Sequence, residues 1–332
     1  MPTVSLDQAA RAVLQQYADR ICPRVLTPLG NRGGFSGARI WRVSCDFGDI
    51  CLRAWPVGVT AEALAFQHGL LRQARQAGLT FVPLVYPSNH GKTWIERGGQ
   101  LWEATSWQPG KADFESNPSS ERLQKVCGAL ARLHDAWTLS PKLHGKCPAI
   151  QRRLARAAEW SQLIASGWRE PLATHSTDSL RPLVEQAWRL LGAEVPDIPQ
   201  RLAPFAEITV PLQPCLCDVW HDHLLFEGNV LTGLVDFGGV KIDHVSVDIA
   251  RMLGSLVGDD VRMWASGLEA YRAIRLLSTQ EEAMAHALDT TGTIIGLVNW
   301  LIWIYRDGKQ IDDWASVGRR MAGLIQRLER QC

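Results

Sequence analysis

The chain has 332 residues, 46% hydrophobic and 21% charged, which suits two domains or one large two-lobed one with apolar material for a core. A formal net charge of +1 leaves no global field to draw in nucleic acid or an anionic membrane, and neither partner is expected. The start, MPTVSLDQAARAVLQQ, lacks a basic segment followed by an apolar run, so the default expectation is a cytoplasmic protein whose eight cysteines are reduced.

Ser5 with Gln8 three residues on is a capping-box pattern and predicts a helix from Leu6 to Arg20, with Ala10, Val13, Leu14 and Tyr17 on one face. Leu26 to Val43 is a glycine-rich turn between apolar segments, and Ile50 to Trp55 reads as a strand, together an antiparallel meander. A helix over Thr60–Gln76 follows, with Thr60 as its cap, then strands at Phe81–Tyr86, Thr93–Ile95 and Leu101–Trp107. Composition shifts near Pro109-Gly110, and the expected division is a β-rich lobe over 1–106 and a mainly helical lobe over 107–332. Helical periodicity then runs through Leu123, Val126, Leu130 and Leu133, through Leu154–Trp168 and through Leu180–Leu191. After an interruption it resumes at Val247–Leu256, Val261–Ile274, Glu281–Ile304 with a break, and Trp314–Arg330. Thr293–Tyr305 is apolar but too short to span a bilayer and contains Asn299, so it reads as a buried helix, with Trp300, Trp303 and Tyr305 in the core. Arg152, Arg153 and Arg156 read as a solvated helix face.

The interruption is Cys215–Asp248, CLCDVWHDHLLFEGNVLTGLVDFGGVKIDHVSVD. Leu224–Phe226 and Val230–Phe237 read as a hairpin turning at Glu227-Gly228-Asn229, with Asp218 to His223 at one open end and Asp236 at the other. Carboxylates and a histidine converging there suit a divalent ion and an activated hydroxyl. Cys215 and Cys217 are not spaced as a metal or redox pair and read as buried strand residues. His134 reads as a buried, hydrogen-bonded histidine, and Asp248 as a structural carboxylate tying the loop near Asp236 to a helix N-terminus.

In order, Asp218, Asp222, Leu225-Phe226, Gly233 to Gly238 and Asp248-Ile249-Ala250 resemble the aminoglycoside phosphotransferase family, which includes choline and homoserine kinases. Gly33-Gly34-Phe35-Ser36-Gly37, the hinge-like Leu101–Gly110 and Leu130–His134 agree in position, so the resemblance spans Leu26 to Leu256. It implies an α+β, protein-kinase-like bilobal fold, with a small antiparallel β N-lobe and a larger helical C-lobe. It also implies an ATP-dependent, Mg²⁺-assisted phosphotransferase acting on a hydroxyl of a small molecule, with ATP as co-substrate. Carried over residue by residue, Asp218 is the catalytic base or positioning group and Asp236 the principal Mg²⁺ ligand, with Asp222 and His223 as further ligand candidates. Gly33, Gly34, Ser36 and Gly37 would cover the phosphates, and Arg53 stands where the family has a lysine. Glu103 to Trp107, Thr105 included, would offer backbone groups to the base.

The sequence departs from the family at Leu216, where a histidine is usual, and at His223, where an asparagine is usual. Glu62 reads equally as the partner of Arg53 or as a first-turn helix carboxylate. A nucleotide-binding pseudokinase or regulatory module is therefore the alternative. A metal-dependent phosphohydrolase, suggested by the His134-Asp135 and His221-Asp222 doublets, ranks third. Aminoglycoside kinases need an acidic acceptor pocket, but the C-terminal helices carry both signs (Arg306, Asp307, Lys309, Asp312, Asp313, Arg319, Arg320), so a metabolite is expected at least as readily. The acceptor's identity and the oligomeric state are not legible.

Overall fold

The structure, a computed structural model, describes residues 6–17, 21–30, 37–168, 178–309, 311 and 313–331. In chain order the first elements are α1 (Leu6–Leu14), β1 (Pro23–Gly30), β2 (Arg39–Cys45), β3 (Gly48–Ala54), α2 (Ala61–Gln76), β4 (Val85–Tyr86), β5 (Ile95–Arg97) and β6 (Gln100–Ser106). Next come α3 (Ser120–Ala136), β7 (Leu143–Gly145), α4 (Pro148–Ala165), α5 (Arg181–Glu194) and α6 (Ile198–Ala206). The last are β8 (Val210–Cys215), β9 (Leu224–Glu227), β10 (Val230–Leu234), β11 (Lys241–Asp243), α7 (Ser246–Val257), α8 (Val261–Arg272), α9 (Thr279–Leu301) and α10 (Trp314–Gln331). Contacts divide the chain into two compact units, Met1–Asn117 with Asp222–Gly238, and Pro118–His221 with Gly239–Cys332.

The first unit is built on an antiparallel sheet of order β1-β2-β3-β6-β4, with β5 also on β6. Period-two alternation sends Trp41, Val43, Ile50, Leu52, Trp102 and Ala104 to one face, where they close over Ala10, Val13, Leu14 and Tyr17. The predicted apolar face of α1 is the one buried, and Trp41 stacks on Trp102 at 5.3 Å. The helix is shorter than expected: it gives way to a 3₁₀ turn at Gln15–Tyr17, while Ser5 and residues 18–20 lie outside the described residues. The same alternation turns Arg53 and Glu103, which are register partners, to the opposite face.

The β9–β10 hairpin belongs to this unit, with Val230 opposite Glu227 across the expected turn. Lys111 and Phe226 exchange both backbone hydrogen bonds, at 3.0 and 2.9 Å, and the Leu234 amide donates to Phe81 O at 2.7 Å. Gly233 is required by this docking: a Cβ there would stand 2.7 Å from Gln108 Cβ. These bonds explain why the contacts place the division after Asn117 instead of at 106/107, and why a late segment completes the early unit.

The second unit packs helices around α9, where Met284, Leu288, Ile294, Leu297, Val298 and Leu301 are buried. Ser278 and Glu281 close a capping box at its start, and a π-helical turn, Ile302–Arg306, continues it; the break expected within Glu281–Ile304 had no assigned position. Thr279–Arg306 is long and apolar enough to cross a membrane by composition, yet 56% of its most apolar window is buried inside the fold. The three-stranded sheet β11-β8-β7 and helix α6 were not expected. Pro211 and Pro214 in β8 break the usual strand signal; the strand accommodates them, with Pro211 facing His144 of β7 and Pro214 facing Ile242 of β11.

Candidate functional site

The first unit contributes a cluster centred on Arg53. Its Nη1 lies 3.4 Å from Asp236 Oδ1, its Nε 3.8 Å from Glu103 Oε1, and its guanidinium sits 4.8 Å over the Trp55 ring. Burial by itself would lower the Arg53 pKa, but Asp236 and Glu103 raise it above the ordinary value. Asp236 is the mirror case: burial would raise its carboxyl, but the Arg53 charge, His223 and the Gly238 amide hold it below the usual aspartate value. Its backbone is in the left-handed region, φ 62, a strained geometry that aims the side chain at Arg53. His223 Nε2 stands 3.7 Å from Asp236 Oδ2.

Glu62 is not part of this cluster. It belongs to the N-cap of α2, where its own amide and the Thr60 hydroxyl lower its pKa, and Thr60 accepts the Ala63 amide at 3.2 Å as expected. Arg53 takes Glu103 instead, because the two face each other across the β3–β6 ladder. Thr105 is paired on both sides, with Cys51 and with Val85, and the Glu103 side chain is buried. Glu103 Oε2 accepts a 2.6 Å hydrogen bond from His68 Nε2, whose Nδ1 meets the Thr93 hydroxyl at 2.8 Å. His68 was missed; the signal was a histidine within the apolar stripe Leu64, His68, Leu71 of α2. Gly33, Gly34 and Ser36 lie outside the described residues. Gly37 has φ 81, a conformation that favours glycine.

Asp222 and His223 share a 3₁₀ turn. Together with Asp236 they do not form a three-donor cluster; among the described residues the group of three that lies within 4.8 Å is His134, Cys215 and Asp248. Mg²⁺ commonly takes one or two carboxylates and completes its shell with phosphates and water. An ionised Asp236, with 45% of its side chain exposed, fits such an ion.

The second unit contributes the loop that carries Asp218. Asp248, in the first turn of α7, accepts the Leu216 amide at 2.7 Å and the Cys217 amide at 2.6 Å. Those bonds hold Cys217 at φ 61 immediately before Asp218. Gly239 lets the chain pass close by: a Cβ there would lie 2.9 Å from Leu216 O and 3.1 Å from Asp218 Cβ. Burial lowers the His134 pKa, so the neutral ring donates from Nε2 to Asp248 at 3.0 Å and accepts from Tyr271 OH at 2.7 Å. His134 is therefore the buried, hydrogen-bonded histidine expected. Asp248 is structural as expected, but it ties down the start of the Asp218 loop. In the metal-like trio, His134 and Asp248 are already hydrogen-bonded as a loop clamp, and burial and the nearby Asp248 push the Cys215 thiol well up. Leu216, where the family has histidine, is buried.

Asp218 Oδ1 accepts a 2.9 Å bond from Arg251 Nη2 of α7. Arg251 lies 4.3 Å over the Trp220 ring, and Arg320 of α10 lies 5.5 Å from the same ring. Arg251 was also missed; it follows Asp248 by three residues, one helical turn beyond the carboxylate that grips the loop. The phosphohydrolase doublets do not assemble: His134 is bound as above, Asp135 pairs with Arg275 at 3.6 Å, and His221 meets Ser255 at 3.1 Å.

A family model described as the phosphotransferase enzyme family matches residues 27–286. The homoserine kinase of Rhizobium meliloti is 24% identical over 235 residues, covering 67% of this chain and 63% of its own length, so the chain spans less than two thirds of that relative. Spectinomycin phosphotransferase, solved with ADP and spectinomycin, has a TM-score of 0.70 at 10% identity, with 98% of each chain covered. An amicoumacin kinase solved with AMP-PNP and Ca²⁺ has a TM-score of 0.66 at 11% identity, over 99% of this chain and 94% of its own. The fold is the protein-kinase-like one.

Proposed function

The chain belongs to the phosphotransferase enzyme family, and from that premise we propose that it is an ATP-dependent kinase that phosphorylates a hydroxyl of a small molecule. The observation that carries this reading is the Asp236–Arg53–Glu103 cluster, in which an ionised carboxylate is braced by a buried guanidinium; the resemblance assigns Asp236 to the metal and Arg53 to the phosphates. A divalent ion bound with the nucleotide would neutralise charge on the β- and γ-phosphates. Asp236 would hold it, His223 would orient Asp236, and Asp222 would offer an oxygen for a second contact. Arg53 keeps the positive charge of the family's lysine, although two carboxylates share it, so its first task is to hold Asp236 in place.

Asp218 positions the acceptor hydroxyl and takes its proton. The acceptor oxygen forms the new bond to the γ-phosphorus as the bond to the β,γ-bridging oxygen breaks, and ADP leaves with the electron pair. A nucleotide-binding module without turnover is the second reading, favoured by the Arg251 guanidinium already on Asp218.

The test is thermal stability with Mg²⁺ alone, Mg²⁺-ATP, and ATP with EDTA, for wild type and Asp236→Ala. At 100 times its Kd a ligand of the folded state adds about 2.7 kcal/mol. A metal-dependent ATP shift absent in Asp236→Ala is expected. No shift in wild type would sink the kinase reading.

A further inference from the structure

We propose that the acceptor carries an anionic group, a carboxylate or a phosphate, and that Arg251 recognises it. This rests on the kinase reading. Asp218, the group proposed to position the hydroxyl, already has one of its two oxygens on a guanidinium: Oδ1 accepts from Arg251 at 2.9 Å. A second guanidinium, Arg320, faces the same Trp220 ring that Arg251 covers. Two guanidiniums thus lie against one loop tryptophan, and one of them, Arg251, is also on the proposed positioning group. A third, Arg153 of α4, donates to the carbonyls of Ala149 and Leu288, and its Nε has no hydrogen-bond partner. Burial, with a smaller contribution from the charge on Arg251, brings the Arg153 pKa down to about 10.

This electrostatic setting disfavours a polycationic acceptor. It suits an anion, because a guanidinium binds carboxylate or phosphate oxygens through a planar pair of N–H groups. Arg251 is 35% exposed and is held to Asp218 by one bond, so an anion on the acceptor can share or take it. Taking it would release Asp218 toward the hydroxyl, coupling recognition of the correct acceptor to readiness of the base. Arg251 is then a specificity-determining residue. The acceptor class is a hydroxy acid or a phosphorylated polyol or sugar.

The experiment follows Mg²⁺-ATP turnover against three acceptor sets: anionic (glycerate, gluconate, glycerol 3-phosphate), neutral (glycerol, glucose) and cationic (choline, kanamycin). It uses wild type, Arg251→Met and Arg251→Lys, with the Kd for Mg²⁺-ATP measured in parallel. Turnover confined to the anionic set is expected. Arg251→Met should lower kcat/KM for that acceptor about 100-fold, the scale of one lost charge-assisted pair. Arg251→Lys should recover part of it, and the Kd for Mg²⁺-ATP should hardly move. Carboxylate and phosphate members within the set tell the two anion sources apart. Turnover on the neutral or cationic set alone would overturn the inference, as would no turnover in any set while Mg²⁺-ATP binds. Weakened Mg²⁺-ATP binding in Arg251→Met would also overturn it, because the anion would then be the nucleotide's own phosphate. If wild type fails to bind Mg²⁺-ATP at all, the kinase reading itself has failed, and that result is distinct from the others.

Discussion

Glu103 is 3% exposed, hydrogen-bonded to a buried histidine on one side and ion-paired with a nearly buried arginine on the other. An ion pair of this kind is weak grounds for net stability, yet removing one partner leaves a desolvated charge behind. Glu103→Ala should therefore cost about 3 kcal/mol of unfolding free energy in urea. Glu103→Gln should cost less, since an amide oxygen still accepts from His68. A loss below about 1 kcal/mol for the alanine variant would mean that Arg53 reaches water or another acceptor. Arg53 and Asp236 were both singled out in the sequence as site candidates, because the spacing around Asp218 and Asp236 resembles the family. Their connection through Glu103 was not. It depends on the register of β3 against β6, which lie about fifty residues apart in the chain, and no local pattern encodes a long-range register. Arg251 was hidden for a similar reason: its partner Asp218 lies on a loop whose path is set by Asp248 and Gly239.

Among the elements, α9 shows how a helix end can carry a pH dependence. Burial favours the protonated form of Glu281, but hydrogen bonds from His244 and from the Ser278 amide and hydroxyl bring its pKa down to about 2 from 4.5. The folded pKa is the depressed one, so between pH 4.5 and 2 the unfolded chain binds more protons, and stability falls as pH falls through that window. Glu281→Gln should thus be less stable than wild type by about 1–2 kcal/mol at pH 7, and the gap should close by about pH 2. Denaturant unfolding at a series of pH values measures it; a gap that stays constant with pH would assign the loss to packing. The helices were the most legible elements. The sequence marked nine of the ten described helices, all but α6, because an apolar stripe is written locally. The β8 strand escaped notice because its two prolines and short partners lack the alternation of a half-buried strand.

At the scale of the whole molecule, the first unit is discontinuous: Asp222–Gly238 returns from late in the chain to complete it. The sequence suggested a lobe ending near residue 106 because the strand pattern ends there; it could not suggest that a hairpin placed beyond a hundred helical residues would dock on that lobe. The docking is specific. Besides the Lys111–Phe226 pair and the Leu234–Phe81 bond, Thr232 Oγ1 donates to Pro109 O at 2.8 Å, and Phe114 packs on Phe226 with centroids 6.1 Å apart. A fragment of residues 1–117 would expose Phe114 and leave the backbone groups of Phe81 and Lys111 without these partners, at about 1 kcal/mol or more for each group not resatisfied by water. It should therefore be far less protected against proteolysis than the same residues in the full chain. Fusing residues 222–238 to it through a Gly/Ser linker should restore protection, since loop length adds only slowly to closure entropy. Limited proteolysis with amide exchange at Lys111, whose N–H donates to Phe226 O and is present in both proteins, distinguishes the two. If the bare fragment is as protected as the fused one, the hairpin is an appendage and not part of the first unit's core. If fusion restores protection, the segment carrying Asp236 is part of what folds the first unit, and an Asp236 variant must be checked for folding before its loss of nucleotide binding is read as chemistry.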